Sequence, residues 1–154
     1  DTVCRPLGLN SVELATNREQ FRRLRWLGGA TYHPGWVYHG CLMGTAEDAA
    51  RLLHGLVGGA LLSAASLDDM LRRVPLGGAL DGRPWIDCGY GLGLMVGGMR
   101  HVGTALGHSG GGPFGTNAVY HFPDRVHPVT VASFSEGQNE GRAEFEAVAI
   151  ASKL

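Results

Sequence analysis

The chain has 154 residues, 44% of them hydrophobic, which is the size and make-up of about one globular domain. Thirteen basic residues against 14 acidic ones leave a formal charge of −1, so no electrostatic footprint for nucleic acid is present. No apolar run reaches the ~18 residues of a membrane span, and the opening Asp1-Thr2-Val3-Cys4 has neither the basic start nor the apolar core of a signal peptide.

An opening without an initiator Met suggests a piece of a longer chain, or a processed one. Cys4, Cys41 and Cys88 are odd in number and form no C-x-x-C pair, which favours inert thiols over a disulfide framework or structural zinc. The 25 glycines follow no fixed period, so they read as strand ends, tight turns and places where main chain is approached closely.

In residues 1–44, Pro6-Leu7-Gly8-Leu9 is a turn-like break and Arg18 to Leu24 has the make-up of a helical turn. The basic cluster Arg18, Arg22, Arg23 and Arg25 reads as a solvated face rather than an anion site. Tyr32-His33-Pro34-Gly35-Trp36 has the composition of an ordered loop. Thr45 and Asp48 open a helix as a capping box, with Ala49, Leu52, Leu53 and Leu56 on one face and Gly58-Gly59 ending it. A second helix runs from a Ser63 or Ser66 cap through Leu67, Met70 and Leu71, stopping before Pro75. His54 on the first of these helices is a surface residue rather than a ligand.

From Trp85 the period becomes that of strands. Tyr90–Val96, Val102–Leu106, Ala118–Phe122 and Val129–Phe134 are separated by glycine or proline breaks, with Pro123-Asp124-Arg125 as a hairpin turn. A last helix covers about Glu140–Ser152, with Phe145, Val148, Ala149 and Ser152 on the face meant for the sheet. The expectation is an α+β fold: an antiparallel sheet of three or four strands with a C-terminal helix packed on it, preceded by a helical segment. Residues 1–84 form the mainly helical and loop segment and 85–154 the strands plus helix, one incomplete domain in all.

Chemistry concentrates in Gly107-His108-Ser109-Gly110-Gly111-Gly112-Pro113. The pattern G-x-S-x-G matches a nucleophile elbow, but that motif needs strand, sharp turn and helix. Here Ser109 is followed by three glycines, a proline and another strand. The downstream Asp124 and His127 are too close in sequence to supply separate triad loops. His33, His39, His54, His101, His121 and His127 show no H-x-x-x-H or H-E-x-x-H spacing, so no metal and no cofactor is expected. Trp36 and Tyr90 suit either a cleft wall or hinge packing.

Five ordered blocks resemble those of penicillin-recognising serine hydrolases: class C β-lactamases, D-alanyl-D-alanine carboxypeptidases and related esterases and D-aminopeptidases. Pro6-Leu7-Gly8-Leu9 is similar to their "PLGM" turn, and Gly40 to Leu53 to their "GG-L-x-S-T-x-x-D-L-A-R-F" block. Leu61-Leu62-Ser63 is similar to "LLSPETL", Tyr90 to Leu94 to "YGLGW", and Gly107 to Gly111 to "GHSGG", with Phe122-Pro123-Asp124 at their "P-D/E" hairpin. The resemblance implies a fragment of a β-lactamase-like fold and an acyl-enzyme hydrolase of amide or ester bonds in β-lactams, D-Ala peptides or esters. It implies that His108 supplies a polar or positive group, that Ser109 and Gly110 hold the substrate's carboxylate or carbonyl, and that the Gly111 N–H forms half of an oxyanion hole. Main-chain donors in a dry cleft suit that task, and a strand edge suits an extended acyl substrate.

The departures are as informative. The family's nucleophile lies in S-x-x-K, yet the only lysine is Lys153, with no serine three residues before it. Tyr32, Tyr38, Tyr90 and Tyr120 make no Y-x-N. Both motifs precede the "PLGL" block in the family, so the nucleophile is expected on a missing N-terminal segment and the isolated chain is expected to be inactive. The expected partners are a small-molecule or peptide substrate with a carbonyl group, that segment, and a second copy through an exposed sheet edge. A non-catalytic ligand-binding or self-associating module is the alternative. The resemblance implies a periplasmic or secreted protein, and the sequence itself leaves a cytoplasmic one open.

Overall fold

The computed structural model describes residues 2–24, 26–37 and 40–154, so the sequence readings on Arg25, Tyr38 and His39 lie outside the described residues. A two-stranded sheet pairs β1 (Glu13–Ala15) with β2 (Cys41–Met43). Between them lie α1 (Arg18–Phe21) and two short 3-10 turns, Leu27–Thr31 and Pro34–Trp36. Two helices follow, α2 (Ala46–Val57) and α3 (Ala64–Leu71). Next come β3 (Val74–Gly77), β4 (Trp85–Tyr90), β5 (Met95–Met99), β6 (Gly103–Gly111), β7 (Gly115–Phe122), β8 (Val129–Glu136) and α4 (Glu140–Ala151). Strands β3 to β8 form one antiparallel meander in sequence order.

Local chemistry accounts for most boundaries. Asn17 and Gln20 close a reciprocal capping box on α1. Thr45 accepts from the Asp48 N–H as expected, but Asp48 does not reach back to Thr45. Its carboxylate takes the Ser11 N–H at 2.8 Å and the Ser11 hydroxyl at 2.6 Å, tying α2 to the start of β1. Ser63 caps α3 through the Ser66 N–H.

The sheet has six strands where three or four were expected. Val74-Pro75-Leu76-Gly77 forms an edge strand, the position that tolerates proline. The single strand expected over Tyr90–Val96 is the end of β4, a turn, and the start of β5. Its alternating glycines serve the turn: Gly93 takes φ +79°, and a Cβ on Gly91 would lie 2.2 Å from the Met70 carbonyl oxygen at the end of α3.

Alternation along the strands divides two cores. Ala105, Ala118, Tyr120 and Phe122 face α4, together with Trp85 and Met99. Leu106, Val119, Leu94 and Val96 face Leu53 and Leu56 of α2 and Met70 and Leu71 of α3. Helices therefore cover both faces, α4 on one and α2 with α3 on the other. Of the expected face of α4, Val148 points into the core, whereas Phe145, Ala149 and Ser152 are exposed. Ala143, Glu144, Ala147, Val148 and Ala151 are buried, and Phe145 is 47% exposed. The small alanines let the helix lie close to Trp85 and Tyr120, and a buried ion pair at Glu144 sets its rotation.

Candidate functional site

Strand β6 carries the glycine-rich motif, and its two neighbours hold it unequally. Pairing with β5 runs from Met99↔Gly103 to Met95↔Gly107 and stops. Pairing with β7 continues to Gly111↔Thr116. Among the described residues, 108–111 thus have a strand partner on one side only, leaving a four-residue open edge. The hairpin tip beyond it is clamped by the N-terminal segment. Phe114 packs against Phe21, Trp26 and Tyr32 with centroids 5.3–6.2 Å apart, and a Cβ on Gly115 would lie 2.6 Å from the Trp26 ring. Gly107 is obligatory for another reason, since its Cβ would fall 2.0 Å from the Val119 carbonyl oxygen.

Because side chains alternate along β6, His108 and Ser109 occupy opposite faces. His108 is exposed, and its Nε2 lies 2.7 Å from the Tyr90 hydroxyl, with the two rings perpendicular at 5.7 Å. Its Nδ1 contacts the Ser109 carbonyl, which can only accept, so that nitrogen carries the proton. In a neutral ring Nε2 then accepts from Tyr90.

Ser109 is buried toward α4. Its hydroxyl accepts from Arg83 Nη2 at 2.7 Å and donates to Glu140 Oε2 at 3.2 Å. Arg83 in turn grips the fully buried Glu144 through Nε (2.6 Å) and Nη2 (2.5 Å). Trp85 Nε1 and the Tyr120 hydroxyl complete the Glu144 shell at 3.0 and 2.8 Å. Burial works against the Glu144 charge, but the hydrogen bonds from Arg83, Tyr120 and Trp85 outweigh it and hold that carboxyl below the ordinary range. The Arg83–Glu144 hydrogen bond raises Arg83, while burial, then the Glu144 charge, push the Tyr120 phenol up.

The elbow geometry is absent, because Ser109 lies within an extended strand that runs on to Gly111. Asp124 accepts from the Thr104 N–H at 2.7 Å, at the far end of β6 from Ser109. Gly110 stands opposite Asn117, and Gly111 lies against Glu140, whose Oε1 would be 3.0 Å from an added Cβ. Nothing in the sequence marks Arg83, Glu140 and Glu144 as members of this site. They belong to no motif, and 61 residues separate Arg83 from Glu144.

Elsewhere, Trp36 is 64% exposed, stacks edge-on against Tyr32 and has Arg18 over its ring at 6.0 Å. Arg23 pairs with Glu13. His54 sits beside His121 near Thr130, and among the described residues no three His, Cys, Asp or Glu side chains gather as a metal set. Cys4, Cys41 and Cys88 are free thiols, and burial raises the last two.

Solved structures share this fold. D-amino acid amidase from Ochrobactrum anthropi SV3, complexed with L-phenylalanine amide, superposes with a TM-score of 0.69 at 18% identity over 99% of this chain and 49% of its own. For a D-stereospecific amidohydrolase from Streptomyces sp. the values are 0.65, 20%, 98% and 46%. For the octameric penicillin-binding protein homologue from Pyrococcus abyssi they are 0.63, 20%, 97% and 35%. The chain therefore spans half or less of the length of these relatives. No curated protein sequence matches it. A family model described as Beta-lactamase matches residues 1–154, and the chain belongs to the β-lactamase family.

Proposed function

We propose that this chain is the substrate-holding part of a serine hydrolase that cleaves amide or ester bonds through an acyl-enzyme. The observation that carries this reading is the open edge of β6 at residues 108–111, where the strand outruns β5 and glycine removes side chains from the approach. An extended acyl group adds along such an edge through main-chain hydrogen bonds. In this reading the Gly111 N–H is one oxyanion donor and Gly110 gives the backbone room to be approached. His108, with Nε2 on Tyr90, is a polar group on the exposed side, and Ser109 a hydroxyl on the buried side. The nucleophile and its base come from sequence upstream of these 154 residues, in keeping with the fraction of the solved relatives that the chain spans. The amidase and amidohydrolase neighbours favour amides as the substrate class.

A nitrophenyl ester and a fluorescent penicillin test the proposal on this chain and on a longer one carrying the upstream sequence. Turnover or covalent labelling is expected in the longer chain alone, at an upstream serine. Labelling at Ser109 of the 154-residue chain would overturn the assignment. Inertness of both chains, with ligand still bound, would identify a non-catalytic binding module instead.

A further inference from the structure

The charges around Ser109 narrow the substrate further, provided that β6 is the acyl-binding strand as proposed above. Arg83, the cation hydrogen-bonded to Ser109, is already engaged. Arg83 directs Nε and Nη2 to Glu144, and its Nη1 lies 3.4 Å from Glu140 Oε2. One guanidinium thus faces two carboxylates, a formal surplus of one negative charge. The Ser109 proton is directed to Glu140, so this hydroxyl has no donor left for an incoming anion. A substrate carboxylate brought to Ser109 meets a carboxylate instead of a counter-ion.

Glu140 is held in a rigid frame. It is the first residue of α4, and the next residue, Gly141, abuts the 81–83 loop so tightly that a Cβ would lie 2.1 Å from the Gly82 carbonyl oxygen. Thr116 and Gln138 tie the helix start to β7 and to the hairpin tip. Its side chain is 38% exposed, against 0% for Glu144, so of the two carboxylates it is the one a ligand can reach. It borders an open depression of about 520 Å³ lined by Asp81, Arg83, Gln138 and Asn139 besides Glu140 itself, so two carboxylates face one guanidinium there as well. The Glu140 carboxylate spans from Ser109 to Gly111 along β6. A carbonyl seated on the Gly111 N–H would have Glu140 on the α4 side of the strand, within reach of a substituent on its α-carbon.

We propose that Glu140 is a specificity-determining residue that receives the free ammonium of the substrate, so that the site selects amides and esters of amino acids with an unblocked amine over N-acylated or carboxylate-bearing ones. A charge-assisted hydrogen bond from the ammonium to Glu140 discriminates by about tenfold or more when the charge is removed from either side.

The test uses alaninamide and N-acetylalaninamide, each as both enantiomers, titrated calorimetrically against the protein at pH 6, below the α-amino pKa of about 7.7–8.0. Alaninamide is expected to bind about tenfold or more tightly than its N-acetyl form, with the ratio falling toward one in Glu140→Gln. The ligand-side change needs no variant, so the comparison stands even if Glu140→Gln folds poorly. Equal affinity for the two ligands, absence of alaninamide binding, or a ratio that survives Glu140→Gln would each overturn the proposal. Ester turnover by the longer wild-type chain separates this from the hydrolase reading. Turnover without ammonium preference removes only the Glu140 assignment, whereas ammonium-selective binding without turnover keeps it and removes the hydrolase.

Discussion

Replacing Arg83 by Met tests the buried network that fixes α4 against the sheet. Glu144 is 0% exposed and accepts from Arg83 Nε, Arg83 Nη2, Trp85 Nε1 and the Tyr120 hydroxyl. Met fills similar volume but removes the positive charge that, among the described residues, pairs with that carboxylate, leaving it buried with two neutral donors. Breaking a buried pair in this way costs about 3–5 kcal/mol, against a total of about 5–15 kcal/mol for a domain of ordinary stability. Glu144→Leu should cost less, because the Arg83 side chain is 22% exposed and retains Glu140 as a counter-ion. The double variant Arg83→Met/Glu144→Leu removes both charges and should recover about 2–3 kcal/mol relative to the sum of the singles. Urea unfolding followed by tryptophan fluorescence reads this directly, since Trp85 donates to Glu144. A cost below about 1 kcal/mol for Arg83→Met, or strict additivity in the double variant, would refute the reasoning.

Acid should unfold the protein through the same kind of group. Asp48, Asp87, Asp124, Glu144 and Glu146 all have carboxyls held below their ordinary values. Their stabilisation is fully present above the unfolded values of about 3.9–4.3 and is lost as pH falls through the lower folded values. The urea midpoint should therefore hold from neutrality to about pH 5 and drop below about pH 4; a midpoint unchanged at pH 3 would contradict this. Gly107→Ala should cost about 3 kcal/mol by forcing β6 and β7 apart, read as a lower urea midpoint, because the added Cβ meets a backbone carbonyl rather than a pliable side chain. Tyr90→Phe removes the partner of His108 Nε2. It should shift stability by less than about 1 kcal/mol yet slow ester hydrolysis by the longer chain about tenfold; an unchanged rate would remove His108 from the site.

Where one physical signal decided a boundary, the sequence was enough. Thr45, Ser63 and the glycines at 58 and 59 bound α2 and α3 because caps act over three or four residues. The strands around Ala118 and Val129 were legible because alternate residues enter two separate cores. The reading failed where a long-range contact overrode a local pattern. Tyr90 to Leu94 alternates like a strand, but its glycines are there for a turn packed under Met70. Phe145 looked like the core face of α4 until Glu144, paired with a residue 61 positions away, claimed the interior. A charged residue in a helix is read as surface, and nothing within a local window announces the arginine that makes its burial tolerable.

The same limit applies at His108-Ser109, where G-x-S-x-G matches a nucleophile elbow by sequence alone. Adjacent residues in a strand cannot serve one another, because they leave the backbone in opposite directions. If β6 is the acyl-binding strand proposed above, a substrate along its edge would meet His108 and Tyr90 on one face, and Ser109, Arg83 and Glu140 on the other. Each face would then read a different substituent of one acyl group, with the main chain of residues 108–111 proposed to hold the carbonyl between them. Such a division requires the strand itself to stay fixed. The Arg83–Glu144 pair secures it from the α4 side, and the Phe114 cluster from the hairpin tip. Loosening either anchor should therefore weaken recognition on both faces together, whereas changes at Tyr90 or Glu140 should each affect one.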